Sequence, residues 1–125
     1  MALVEDERTI ADLYRIGLEA RGFAVSVFHD GPPFFESLET ALPDFVLLDW
    51  NLPSLTGGDL LERLRRDERT RRLRVAVLSN FPRRHFADTV LNRLGALAWL
   101  EKTSTTPMQL ADIVARLLVD SAQPA

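Results

Sequence analysis

The chain contains no cysteine. That absence excludes disulfides, thiol chemistry and metal sites built on thiolates. Histidine is scarce too: His29 and His85 lie far apart and match no metal-binding spacing. No apolar run approaches membrane-spanning length, and Met1 leads straight into a strand with no sign of a signal peptide. A cytoplasmic protein is expected by default. The loop after the first strand, Glu5-Asp6-Glu7-Arg8, is not glycine-rich and would repel a phosphate in the absence of a metal. That argues against a nucleotide- or flavin-binding enzyme. Ser79 lacks the G-x-S-x-G turn of a hydrolase nucleophile. The net charge of -3 makes no electrostatic case for direct nucleic-acid binding. Lysine is nearly absent: Lys102 stands alone among arginines. Its presence against that bias is either chance or the mark of a site needing a compact point charge in place of a planar fork.

The 125 residues suffice for one domain with one core, and 46% hydrophobic with 26% charged content is ordinary for a globular chain. The domain is expected over residues 1–120, with 121–125 as a frayed tail. The organising stretch is Asp44-Phe45-Val46-Leu47-Leu48-Asp49-Trp50-Asn51-Leu52-Pro53. Four consecutive apolar residues, too few for a helix, read as a strand buried on both faces, and Asn51 and Pro53 end it. Asp49 closes that strand, where open α/β sheets place their ligands.

The remaining segments alternate. A short strand at Ala2-Leu3-Val4 precedes a helix from about Glu7 to Arg21, with Ile10, Leu13, Tyr14 and Leu18 at helical spacing and Gly22 just past its end. A second strand is expected over Phe23–Phe28. A helix then begins at the Asp30-Gly31-Pro32-Pro33 turn, carries Phe34, Phe35, Leu38 and Ala41, and stops at Pro43. The next helix starts near Asp59 with Leu60, Leu61 and Leu64 inward, and ends in a run of arginines from Arg63 to Arg74. That run suits the negative end of a helix dipole, and a docking patch for an acidic partner is the alternative. Val75–Leu78 is a fourth strand ending at Ser79-Asn80. A helix from about Arg83 to Leu94 carries Phe86, Val90 and Leu94. Leu97–Leu100 is the fifth strand and runs into Glu101-Lys102. Thr106-Pro107-Met108-Gln109 has capping-box spacing and opens a last helix with Leu110, Ile113, Val114, Leu117 and Leu118 inward. Single-helix crossovers between successive strands imply a parallel sheet with helices on both faces.

Parallel strands bring their carboxyl ends to one edge. Glu5, Asp6, Asp49, Ser79 and Lys102 are delivered there by four different strands. Two carboxylates about 4 Å apart repel by roughly 4 kcal/mol at an effective dielectric near 20, so such a cluster calls for a cation. Mg²⁺, which takes oxygen ligands and keeps open positions, fits that need. A carboxylate can attack phosphorus and form an acyl phosphate, with Lys102 and Ser79 as suitable partners for the phosphoryl oxygens.

This constellation resembles the receiver domain of two-component response regulators, over essentially the whole chain. The resemblance is carried by Glu5-Asp6, Asp49, Leu52-Pro53 with Gly57, Ser79, Gly95-Ala96, Trp99 and Lys102. It implies an α/β, flavodoxin-like (βα)5 sheet in the order 2-1-3-4-5. It implies Asp49 as phosphoacceptor, assisting its own phosphorylation and dephosphorylation without being an enzyme in the ordinary sense. It implies Mg²⁺ (or Mn²⁺) on Asp6, Asp49 and the Asn51 carbonyl, with Glu5 acting through water. Ser79 and Lys102 would contact the phosphoryl group, and Trp99 would be an aromatic switch that turns inward when Ser79 moves. Implied partners are a sensor histidine kinase or histidine phosphotransfer protein, and a downstream protein read through the fourth helix, fifth strand and fifth helix, including Arg84, His85 and Trp99. A monomer or a phosphorylation-dependent homodimer would result, with no membrane attachment.

Four residues depart from the family pattern or modify it. Thr103 follows Lys102 where proline, often cis, is usual; a trans bond and a differently aimed Lys102 are expected. Asn80 stands where a small residue is usual and is expected to alter phosphorylation or dephosphorylation rates, with Asn51 a further rate-modulating position. Phe81 either shields the acyl phosphate from water or packs against the next helix. These departures keep open a phosphorylation-independent interaction module on the same fold.

Overall fold

The computed structural model describes residues 1–81 and 85–120, with nothing stated for the side chains of 85 and 86. The elements are β1 (Ala2–Val4), α1 (Arg8–Ala20), β2 (Ser26–Phe28), α2 (Gly31–Ser37), β3 (Val46–Asp49), α3 (Gly57–Arg66), β4 (Val75–Ser79), α4 (His85–Arg93), β5 (Ala98–Glu101) and α5 (Pro107–Asp120). The five strands form one parallel sheet in the order β2-β1-β3-β4-β5. The expected architecture and strand order are both present.

Side-chain alternation builds two cores, one on each face of the sheet. Leu3, Leu47, Ala76 and Leu78 face α1 and α5, meeting Ala11, Tyr14, Leu18, Leu110 and Val114. Val4, Val46, Leu48, Val75 and Val77 face the other way, onto Phe34, Leu60, Leu61, Leu64 and Val90. The central strand is buried along its whole length, as its unbroken apolar run requires.

Several boundaries differ from the sequence reading. β2 starts at Ser26, not Phe23, because it is an edge strand whose only partner, β1, offers three residues. α2 ends at Ser37, well before Pro43. There the Ser37 hydroxyl donates to the Phe34 carbonyl at 2.6 Å, and Leu38, Glu39 and Thr40 close with tighter turns onto Phe35, Glu36 and Ser37. In α1 the inward stripe is Ala11, Tyr14 and Leu18, while Leu13 is 52% exposed. α3 opens at Gly57, two residues earlier than expected, under a capping box in which Thr56 Oγ1 accepts from Asp59 N and Asp59 accepts from Thr56 N. The box expected at α5 is present, with Thr106 Oγ1 accepting from Gln109 N at 3.1 Å and Gln109 Oε1 from Thr106 N at 2.9 Å. Gly22 takes a φ of 99° at the end of α1, the left-handed geometry its position calls for. The start expected for the fourth helix, Arg83, and the tail 121–125 lie outside the described residues.

Candidate functional site

The carboxyl edge of the sheet gathers the predicted acidic residues. Glu5 follows β1 and is fully buried; its Oε2 accepts from Glu7 N at 3.1 Å. Asp49 is the last residue of β3, also buried, and its Oδ1 accepts from Asn51 N at 3.1 Å. Asp6 is exposed, yet carboxylate oxygens of Glu5, Asp6 and Asp49 lie within 4.8 Å of one another. Lys102 enters between two of them: its Nζ is 2.5 Å from Glu5 Oε1 and 3.0 Å from Asp49 Oδ2.

These distances fix the electrostatics. Burial, followed by the neighbouring Glu5 charge, pushes the Asp49 carboxyl up to about 8. Asp6 moves the opposite way: slight burial opposes the shift, but hydrogen bonds toward Asp49 and Glu5 hold it below the usual carboxylate range. A proton carried by Asp49 and donated toward Asp6 accounts for both directions. Burial disfavours the Lys102 ammonium, but its bonds to Glu5 and Asp49 outweigh that and raise it above the ordinary lysine value. With all three carboxylates ionised, as phosphoryl acceptance requires of Asp49, a single ammonium leaves a deficit of two positive charges. The donors are all hard oxygens, so the deficit fits a divalent cation of the magnesium or manganese type.

Expectations at the departures resolve one by one. There is no cis peptide among the described residues, as Thr103 implies. A 3₁₀ turn over Lys102–Ser104 presents the lysine to both carboxylates without proline. Ser79 ends β4 fully buried, with its Oγ accepting from Phe81 N at 2.9 Å. Asn80 is exposed. Phe81 is 48% exposed. Trp99 is already turned inward: it is 8% exposed, and its Nε1 donates to the Phe81 carbonyl at 3.1 Å. It therefore presents little of its ring to a partner. Arg84 and the His85 side chain lie outside the described residues.

Some participants were not foreseen. Trp50, next to Asp49, packs against Trp99 with ring centroids 4.9 Å apart at 58°. Its adjacency to the acceptor was the available signal. Gly57 N donates to the Trp50 carbonyl at 2.7 Å, and a Cβ on Gly57 would stand 2.6 Å from the Asp49 carbonyl oxygen. Only glycine lets α3 begin this close to the acceptor. His29 Nδ1 lies 2.9 Å from the Glu5 carbonyl, and Asp30 bonds Ser54 in the loop after β3. Both contacts join residues 24 apart, and no local pattern announces them.

Known proteins are similar to this chain in sequence and in fold. The family model described as "Response regulator receiver domain" matches residues 1–115. The phosphate regulon transcriptional regulatory protein PhoB of Rhizobium meliloti is 36% identical over 118 residues, covering 94% of this chain and 51% of PhoB. The transcriptional regulatory protein CseB of Streptomyces coelicolor is 38% identical over 114 residues, covering 91% of this chain and 45% of CseB. The chain thus spans about half the length of these curated relatives. Among solved structures, a sensor protein from Polaromonas sp. JS666 has a TM-score of 0.81 at 29% identity, covering 97% of this chain and 96% of that one. The receiver domain of the Francisella response regulator 1452 has a TM-score of 0.85, covering 97% of each chain, a likeness of fold at 24% identity. Among the described residues, no helix is long and apolar enough to cross a membrane.

Proposed function

Since the chain belongs to the response regulator receiver family, we propose that it is a phosphorylation-driven switch in which Asp49 accepts a phosphoryl group. The observation that carries this reading is the placing of Asp49: buried at the end of the central strand, 3.0 Å from the Lys102 ammonium and within 4.8 Å of two further carboxylates.

An Asp49 carboxylate oxygen attacks phosphorus. The new O–P bond forms as the donor's P–O or P–N bond breaks, and the leaving group departs with the electron pair. Asp49 must be ionised to attack; Lys102 favours that form, while burial and Glu5 oppose it. Mg²⁺ (or Mn²⁺) would be held by Asp6, Asp49 and the Asn51 carbonyl, with Glu5 through water; when bound it neutralises the acidic cluster and the phosphoryl oxygens. Lys102, 3.0 Å from Asp49 Oδ2, would pair with the phosphoryl group. The chain modifies itself and turns over no other substrate.

The readout runs through Ser79. Among the described residues its hydroxyl hydrogen has no acceptor, so it can donate to the phosphoryl group while its oxygen holds Phe81 N–H. Drawing Ser79 toward Asp49 pulls on Phe81, and Phe81 carries the indole N–H of Trp99 on its carbonyl. Because Trp99 is already inward, the signal is a displacement of Phe81 and of the Trp99 contact it carries, not an inward swing of the ring. The partner surface is then α4-β5-α5, read by a downstream protein, and the donor is a sensor histidine kinase or histidine phosphotransfer protein. Both named relatives are transcriptional regulators about twice as long as this chain. What we carry over from them is that output is read by protein beyond this fold.

The test is the emission of the Trp50–Trp99 pair on adding acetyl phosphate with Mg²⁺. A spectral change that decays as the acyl phosphate hydrolyses, and that is lost in Ser79→Ala, is expected. An unchanged spectrum in protein shown to carry the phosphoryl group would remove the Ser79–Phe81–Trp99 relay.

A further inference from the structure

β2 supplies no carboxylate to the acidic pocket, yet the turn after it touches the loops that follow the two strands that do. His29 Nδ1 lies 2.9 Å from the carbonyl oxygen of Glu5, whose own N–H donates to the Phe28 carbonyl at 2.9 Å. Asp30 reaches the other loop. Its Oδ1 accepts from Gly31 N at 2.8 Å and from Ser54 N at 3.2 Å, and its Oδ2 accepts a short hydrogen bond from the Ser54 hydroxyl. The two turns are also in steric contact: a Cβ on Gly31 would stand 2.2 Å from a Leu55 methyl.

The loop held in this way is the one that carries Asn51. Its base is closed by the Asn51–Thr56 bridge and by Gly57 N on the Trp50 carbonyl. Its tip is held by Asp30. Capping α2 needs only the bond from Gly31 N, so the two bonds to Ser54 do nothing for that helix. Nor do they rescue a buried group, since Ser54 is exposed and water would satisfy its hydroxyl. What they do is restrict the conformations of the loop. Charge-assisted bonds to a carboxylate are the stronger kind, and the Ser54 bonds hold the Asp30 carboxyl below its usual range.

We propose that His29 and Asp30 are positioning residues for the cation pocket. His29 fixes the peptide of Glu5, and Asp30, through Ser54, fixes the loop that presents the Asn51 carbonyl. The inference rests on the reading that this pocket holds Mg²⁺. Supporting groups around a metal are typically worth roughly 10-fold in affinity.

The experiment is a Mg²⁺ titration of the full chain, followed by the emission of the Trp50–Trp99 pair, with amide hydrogen exchange of residues 51–56 measured in the metal-free protein. Asp30→Ala and Ser54→Ala are each expected to weaken Mg²⁺ binding by roughly 10-fold and to speed exchange in the loop. Asp30→Asn keeps an acceptor oxygen and loses the charge, and Ser54→Thr keeps the hydroxyl; both should bind Mg²⁺ close to wild type. If Asp30→Ala fails to fold, Ser54→Ala, at an exposed position, carries the test. Wild-type affinity in Ser54→Ala overturns the inference while leaving the pocket's assignment intact. So does Asp30→Asn as weak as Asp30→Ala beside an unaffected Ser54→Ala, since that pattern reports distant charge. A wild type that binds no Mg²⁺ overturns the pocket's assignment and the inference with it.

Discussion

At the scale of residues, the site is a balance of charge in a small buried volume. The folded Asp49 carboxyl is held up to about 8, against 3.8 for the ordinary side chain. The folded metal-free protein therefore keeps a proton that the unfolded chain releases between those values. That contribution to stability is fully present below the lower value and is lost as pH rises through the upper one. Thermal melts of metal-free wild type should fall in midpoint from about pH 5.5 to about pH 8.5 more steeply than those of Asp49→Asn. Parallel profiles would contradict the burial argument. Gly57 gives a second prediction. A Cβ there meets the Asp49 carbonyl at 2.6 Å and Trp50 Cα at 2.8 Å, both backbone atoms that cannot step aside. Gly57→Ala should cost about 1–3 kcal/mol in urea unfolding and slow phosphoryl acceptance; wild-type stability would show that the contact relaxes freely. Glu5, Asp6, Asp49 and Lys102 were legible in the sequence because each stands where an apolar run stops. His29 and the Asp30–Ser54 bonds were not, because they depend on how two turns pack across the sheet edge.

At the scale of elements, one arginine ties together pieces that the sequence reading left separate. Arg65 on α3 donates from Nε to the Leu94 carbonyl at 2.6 Å and from Nη1 to the Leu73 and Arg71 carbonyls at 2.9 and 3.1 Å. Its Nη2 reaches the Gly95 carbonyl at 3.3 Å. It thereby caps the carboxyl end of α4 and closes the turn before β4, which orphan carbonyls at a helix end require. Burial lowers its affinity for the proton, without threatening its charge. Arg65→Ala should destabilise the fold by about 2–3 kcal/mol in denaturant unfolding, and Arg65→Lys should not restore it, since an ammonium cannot span these carbonyls. Full rescue by lysine would reduce the role to charge alone. The arginine run was read as a solvated helix end or a docking patch. Arg65 in it is structural, and Arg69 and Arg74 also spend donors on the Leu38, Asp44 and Leu118 carbonyls. The capping box at Thr106 was legible from its spacing; the one at Thr56 has aspartate in place of the usual glutamate or glutamine, which weakens the signature. The early ends of β2 and α2 were not legible, because they depend on how many residues a neighbouring strand offers and on side-chain bonds that close a turn.

At the scale of the whole molecule, sheet order makes the site. Alternating patterns predicted parallel strands with helices on both faces, but they do not say which strands are neighbours; the order came from the family resemblance. β1 and β3 lie side by side, so Glu5 and Asp49 meet, and the lysine that completes their charge balance arrives from beyond β5. Every step of the functional reading depends on Asp49 being the acceptor. The direct measurement is the intact mass of the protein after incubation with acetyl phosphate, with Mg²⁺ or with EDTA, beside Asp49→Asn. The account predicts a single phosphoryl adduct that requires Mg²⁺ and is absent from Asp49→Asn. An adduct of equal yield in Asp49→Asn, or in EDTA, would contradict it.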